Sequence, residues 1–257
     1  MASATTLAGK IGLVTGGGRG VGRAGALALG RAGAALALAA RTSSELCAVA
    51  AEVSAAGGPA ALALEMDLAD PASIASGLAR LDALLPRIDI LVNNAGVAES
   101  APLARTSPEL WRRHLEINAT APFLLSRALV PAMVERGWGR VVNIASMAGL
   151  AGAPYIAAYA ASKHALVGLT RALAAETAGR GVTVNAICPG YAATDMTWLN
   201  ARRISEKTRK PFDEAVAAMA SFNASGRLVE PEAIGAAVVE LCREEAAVRS
   251  GETVVLS

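Results

Sequence analysis

A doubly wound α/β sheet of parallel strands, with helices on both faces in a single domain, is the fold this sequence predicts. Three observations point to it. Short runs of Val, Ile and Leu alternate with longer helical stretches, the composition is aliphatic, and the first strand runs into a glycine-rich turn. Alternation of strand and helix is the βαβ pattern of parallel sheets. Apolar residues make up 53% of the 257 and aromatics only 4%. That balance suits strands buried on both faces under alanine-rich helices better than an aromatic-rich sandwich. The length is ample to bury one large core.

In chain order, strands are expected at Ile11–Thr15, Ala35–Ala40, Ala60–Glu65, Ile88–Val92, Arg140–Ala145, Val182–Ile187 and Thr253–Leu256. Helices are expected to begin near Val21, Ser44, Pro71, Pro108, Tyr155 and Pro231, several of them marked by Pro or a capping Ser. No linker, repeat or low-complexity tract divides the chain, so residues 1–257 read as one unit. Residues 194–226, from Thr194 to Gly226, break the rhythm with a polar, charged stretch after the sixth strand. Open α/β sheets bind ligands at the C-terminal ends of their strands, and an insertion there reads as a substrate lid.

Composition also excludes functions. A net charge of +2 argues for neither a nucleic-acid nor a membrane surface. Cys47, Cys188 and Cys242 have no metal-site or redox-motif spacing, so a reducing, cytoplasmic setting is expected and no metal centre is proposed. The N-terminus, Met1 to Lys10, has no apolar core of a secretory signal. Mean hydropathy is positive, yet no uninterrupted run of about 18 apolar residues occurs. His114 and His164 are expected as solvated or half-buried helix residues.

The first strand leads straight into Thr15-Gly16-Gly17-Gly18-Arg19-Gly20-Val21-Gly22 and then a helix. Such a turn lets backbone N–H groups approach a pyrophosphate and aims a helix N-terminus at its charge. Gly16 permits the tight turn, Gly20 the close approach, and Gly22 the packing of helix on strand. No GK(S/T) follows, which argues against a P-loop nucleotidase. The second strand should end beside the adenosine ribose, where a carboxylate would accept from the 2′-OH of NAD. Here Ala39-Ala40-Arg41-Thr42-Ser43-Ser44 offers no carboxylate. Arg41, three hydroxyls and Arg19 suit a 2′-phosphate, so NADP(H) is favoured and NAD(H) is the alternative.

Thirteen residues after Ser146 comes Tyr159-Ala160-Ala161-Ser162-Lys163. On a helix Tyr159 and Lys163 share one face. A phenol of pKa near 10 is a weak acid/base unless its anion is stabilised, and an ammonium one turn away does that.

The glycine loop, Asn93-Asn94-Ala95-Gly96 after the fourth strand, Asn118, Ser146, Tyr159 with Lys163, and Pro189-Gly190 occur in the order and spacing of one family. From about Lys10 to Val255 the chain resembles the short-chain dehydrogenases/reductases, which share the Rossmann-type fold. The resemblance implies that Tyr159 is the general acid/base, that Ser146 polarises the substrate carbonyl, and that Lys163 tunes Tyr159 and holds the nicotinamide ribose. It implies that Asn118 anchors a water in a proton relay. On the cofactor side it implies Gly16, Gly18, Arg19, Gly20, Val21 and Arg41, then Asp67 and Leu68 at the adenine. Asn93, Ala95 and Gly96 follow beside the adenosine, with Pro189, Gly190 and Thr194 at the nicotinamide carboxamide and pyrophosphate. Members often continue past the last strand with an Asp-Gly-Gly-like tail. These residues stop at Ser257, so either such a tail is missing from them or the pocket is more open.

The implied activity is hydride transfer between NADP(H) and a carbonyl or secondary alcohol, with a 3-oxoacyl thioester as the single best substrate class. Arg202, Arg203, Lys207, Arg209 and Lys210 of the lid can meet the phosphates of coenzyme A or a carrier protein, although a solubilising helix face is the more ordinary explanation of them. Ala175 stands where carrier-protein reductases are expected to have arginine. An NAD-dependent secondary-alcohol dehydrogenase is the alternative. A non-catalytic NADP(H)-binding protein is the alternative of a different class, and an intact Asn118, Ser146, Tyr159 and Lys163 argues against it. A homotetramer through the helices beginning near Pro108 and Tyr155 is implied as well.

Overall fold

The computed structural model describes residues 6–257; the first five, where the N-terminal reading begins, are outside the described residues. Seven strands, β1 (Ile11–Thr15), β2 (Ala35–Ala40), β3 (Ala61–Glu65), β4 (Ile90–Asn93), β5 (Gly139–Ile144), β6 (Val182–Pro189) and β7 (Thr253–Leu256), form one sheet in the order β3-β2-β1-β4-β5-β6-β7. Every pairing is parallel, from Ile11 opposite Ala35 to Pro189 opposite Leu256.

Burial on both faces explains why the strands are rich in apolar residues. Along β1, Val14 enters one core and Leu13 the other; along β2, Leu36 and Leu38 face the first while Ala37 and Ala39 face the second. Successive side chains point to opposite faces, and both faces are covered. One layer is α1 (Gly20–Arg31), α2 (Ser43–Ala55) and α9 (Pro231–Cys242), with Leu29, Val49 and Ile234 against the sheet. The other holds α3 (Pro71–Leu84), α5 (Ala121–Glu135) and α6 (Ala157–Glu176), with Ile74, Leu125 and Ala174 inward. A fully buried leucine such as Leu38 or Leu91 contributes about 1.5–3 kcal/mol of transfer free energy.

α4 (Pro108–Leu115) begins with Ser107 capping the amide of Leu110 and continues through a π-helical turn, Glu116–Thr120, into α5. The 28-residue stretch Pro108–Glu135 is apolar and long enough by composition to cross a membrane. In the fold its apolar stripe is core, with Leu125, Val130 and Met133 seated on the sheet.

The lid is more ordered than its composition suggests. It contains α7 (Asp195–Thr208) and α8 (Phe212–Ala220), joined at Arg209, whose φ of 58° is left-handed. Ala201, Ala215 and Met219 form a small core between the two helices, and the Trp198 and Phe212 rings meet at 6.4 Å. The strand order reverses between β1 and β4, so the crevice for a ligand lies past their C-terminal ends. The lid starts beside that crevice.

Candidate active site

Three hydrogen bonds from one hydroxyl set the crevice. Thr15 Oγ1, at the end of β1, donates to the Val92 carbonyl at 3.3 Å and accepts the amides of Asn94 at 3.0 Å and Ala95 at 3.1 Å. Asn94 Nδ2 reaches back to the Thr15 carbonyl at 2.8 Å. The glycine loop and the turn after β4 are thereby tied across the point where the sheet reverses. Neither Thr15 nor Asn94 was among the residues the sequence singled out as ligands, because their partners are backbone and only the fold brings them together.

Within the loop, Gly16 has φ +64°, a left-handed value that L side chains resist. A Cβ at Gly22 would stand 2.1 Å from the Gly16 carbonyl, so the first turn of α1 can press on the loop only with glycine there. Arg19 precedes α1 without a side-chain cap, leaving the first amides of the helix for a ligand. A Cβ at Gly20 would be 3.4 Å from Thr194 Cγ2, which places Thr194 and the root of the lid against the loop. These features fit a pyrophosphate. Gly18 lies beside Glu45, and Val21 packs on the core.

At the adenosine end, Arg19 and Arg41 are exposed and, among the described residues, form no ion pair. Thr42 precedes α2 without a side-chain cap, so a second set of free amides adjoins Arg41. Asp67 accepts the Ala69 amide with Oδ1 at 2.9 Å. Leu68 is in the core, so any ligand contact there falls to its backbone.

Asn93 departs from expectation. Its side chain is buried in the sheet and donates to Asn143 Oδ1 at 2.8 Å rather than facing the crevice. Asn143 in turn donates to Thr170 Oγ1 at 2.8 Å, so Asn93 opens a polar chain joining β4, β5 and α6. The strand alternation turns residue 93 into the protein and leaves residue 94 at the crevice.

On α6, Lys163 is 4% exposed and Tyr159 half-buried. Lys163 Nζ donates to the Ile144 carbonyl at 2.8 Å and stands 5.9 Å from the Tyr159 ring centre. Burial lowers its pKa to about 8. Burial also pushes the Tyr159 phenol up from its ordinary value, against a smaller downward pull from the neighbouring Ser146 hydroxyl. Ser146, at the end of β5, accepts the Ala148 amide at 3.1 Å. Gly96 admits this arrangement, since a Cβ there would lie 3.1 Å from Asn118 Oδ1 and 3.5 Å from Lys163 Nζ.

Asn118, in the π turn, is fully buried and its side chain is taken up: it accepts the Val97 amide, and donates to the Val97 carbonyl and to Ser162 Oγ, each at 2.9 Å. A water relay at this residue would therefore use its backbone. Pro189 and Gly190 close β6, and Asn223 bonds both the amide and the carbonyl of Tyr191 at 2.9 Å, fastening the far end of the lid. Sequence reading gave no sign of Asn223, which is distant in the chain and follows no motif.

A family profile described as short chain dehydrogenase matches residues 10–204. The chain is 39% identical over 245 residues, 95% of its length and 94% of that protein, to a 3-oxoacyl-acyl-carrier-protein reductase of Escherichia coli. A Beutenbergia cavernae structure with bound NADP, assigned as an NAD(P)-dependent gluconate 5-dehydrogenase, superimposes with TM-score 0.86 and 42% identity over 97% of this chain and 95% of that one. An actinorhodin polyketide ketoreductase with NADPH gives TM-score 0.91 and 33% identity over 98% and 97%.

Proposed function

This chain belongs to the short-chain dehydrogenase/reductase family and is an oxidoreductase acting on carbonyl or alcohol groups, and from that premise we propose that it reduces a 3-oxoacyl thioester with NADPH. The observation that carries the reading is the grouping of Ser146, Tyr159 and Lys163 past the end of β5, with Lys163 Nζ 5.9 Å from the Tyr159 ring centre, and the direction is supported by relatives named as reductases. A phenol held protonated is a proton donor, which carbonyl reduction requires. When bound, the nicotinamide supplies the hydride to the carbonyl carbon. Ser146 Oγ–H donates to the carbonyl oxygen, and Tyr159 O–H delivers the proton as charge develops there. Lys163, charged below pH about 8 and fixed on Ile144, stabilises the phenolate left behind. Asn118 holds the segment after β4 that lines the crevice.

Arg19, Arg41 and the free amides of α1 and α2 support NADP(H) in that crevice. The thioester is supported by the relative from Escherichia coli and by Arg202, Arg203, Lys207, Arg209 and Lys210 on the lid. All five are exposed, and none forms an ion pair among the described residues. Residues 194–226 serve as the substrate lid, and a cytoplasmic setting suits such a reaction. A second reading, oxidation of a hydroxy acid, rests on the gluconate dehydrogenase assignment of the Beutenbergia cavernae structure and on Ala175.

Initial rates with acetoacetyl-CoA, its phosphate-free N-acetylcysteamine thioester, simple ketones and gluconate, each with both nicotinamide cofactors, separate the readings. Thioester reduction with NADPH is expected, with Tyr159→Phe lowering kcat by about 10²–10⁴-fold. Turnover of gluconate without thioester reduction would replace the first reading by the second, and a Tyr159→Phe enzyme keeping a tenth of its activity would remove Tyr159 as the acid.

A further inference from the structure

Behind Tyr159 stands a histidine for which the sequence offers no role. His114, in the last turn of α4, is 1% exposed, not the solvated or half-buried residue expected from the sequence. Its Nδ1 lies 2.8 Å from the Leu110 carbonyl oxygen, and its Nε2 lies 3.1 Å from the Glu99 amide. A carbonyl only accepts and a backbone amide only donates. The two partners therefore fix one neutral ring, with its proton on Nδ1. Held this way, the ring meets Tyr159 edge-on, with centroids 6.2 Å apart and planes at 74°.

His114 and Asn118, four residues apart, bind the same segment, one at Glu99 and the other at both backbone groups of Val97. Asn118 continues through Ser162 Oγ, which donates to the Tyr159 carbonyl at 2.7 Å. The segment after β4 and the catalytic face of α6 are thus gripped from α4 and from the π turn, and His114 reaches both the segment and the Tyr159 ring.

We propose that His114 is a positioning residue that aims the Tyr159 phenol, acting through this edge contact and the Glu99 bond and exchanging no proton with substrate. The proposal rests on Tyr159 being the acid. Small displacements of a reacting group are costly, so loss of the frame should act on turnover rather than on cofactor binding.

The chain has two histidines and three tyrosines, so each ring can be assigned by single substitution in NMR spectra of protein carrying labelled His and Tyr. Wild type at neutral pH should show His114 neutral with the proton on Nδ1. His114→Leu, which keeps bulk but neither bond, should move the Tyr159 ring resonance and lower kcat about tenfold, with the Kd for NADPH within about twofold of wild type. His114→Gln, which restores an acceptor for Glu99 but not the ring edge, should recover part of the loss, and a Gln variant as impaired as Leu would remove the Glu99 bond from the proposal. A proton on Nε2, or a Tyr159 resonance and kcat both unmoved in His114→Leu, overturns the proposal. If His114→Leu does not fold, the wild-type tautomer and the Gln variant still decide it. The ring resonances need no substrate, so failure here is distinct from failure of the acid assignment, which Tyr159→Phe tests by itself.

Discussion

Lys163 Nζ donates to the Ile144 carbonyl at 2.8 Å, which holds a buried cation from α6 at the end of β5, two residues before Ser146. Among the described residues nothing opposite in charge is bonded to it, and burial lowers its pKa to about 8. Such a charge costs stability, and the role proposed for it in turnover is what offsets that cost. Because the folded value lies below the ordinary 10.5, the unfolded chain binds more protons between about pH 8 and 10.5. Wild-type stability therefore gains from this group as pH rises through that window, and the full penalty applies below it.

Lys163→Met is thus expected to lower turnover at least about 100-fold while raising Tm at pH 7 by about 2–4 °C, the shift that 1 kcal/mol produces in a domain of this size. The stability advantage should shrink as pH climbs from about 8 to 10.5. Calorimetry of both proteins across that range checks it, and a variant no more stable than wild type at pH 7 would show that the Ile144 bond outweighs desolvation.

The parts of this molecule legible in the sequence are those written in local periodicity. All seven strands lie within two residues of their expected starts. β4 begins at Ile90 rather than Ile88 because Asp89 turns its carboxylate to the Ile11 amide, at 2.9 Å, and to Arg87. What stayed hidden depends on tertiary partners. The π turn at Asn118, the inward turn of Asn93, the burial of His114 and the Asn223 latch leave no periodic trace. In the lid, the cations of α7 outweigh the narrow alanine and methionine seam that folds it into a helix pair. Tyr159 and Lys163 were legible because an i, i+4 spacing on a helix fixes their relation without knowledge of the rest.

A homotetramer is a further expectation. Trp111 on α4 and Phe123 on α5 are 40% and 45% exposed, large apolar surface on the helical stretch predicted to meet a second subunit. Light scattering at micromolar concentration should return about four times the 25.9 kDa chain mass, and Phe123→Glu should split the assembly. A wild-type monomer would refute the expectation outright.

Cofactor choice gives the sharpest test of the binding residues. β2 ends at Ala40, opposite Glu65 of β3, and Arg41 follows, exposed and without an ion pair among the described residues. If Arg41 grips the 2′-phosphate, the bond exists only with NADP(H). A hydrogen bond between charged groups contributes about 1.5–3 kcal/mol, or roughly 10- to 150-fold in affinity. Arg41→Ala should raise the KM for NADPH by about that factor and leave NADH nearly unchanged. Glu45, packed against Gly18 in the first turn of α2, adds a nearby carboxylate that opposes the phosphate. Glu45→Gln should therefore move preference the other way, toward NADPH. Ala40→Asp should go furthest, repelling the phosphate and offering the NAD ribose an acceptor, so that preference inverts. Arg19 is expected to compensate in part for the loss of Arg41, which makes the Arg19→Ala, Arg41→Ala double variant the cleaner measurement. Equal shifts for both cofactors in Arg41→Ala would reduce Arg41 to surface charge and return the 2′-phosphate site to Arg19 alone.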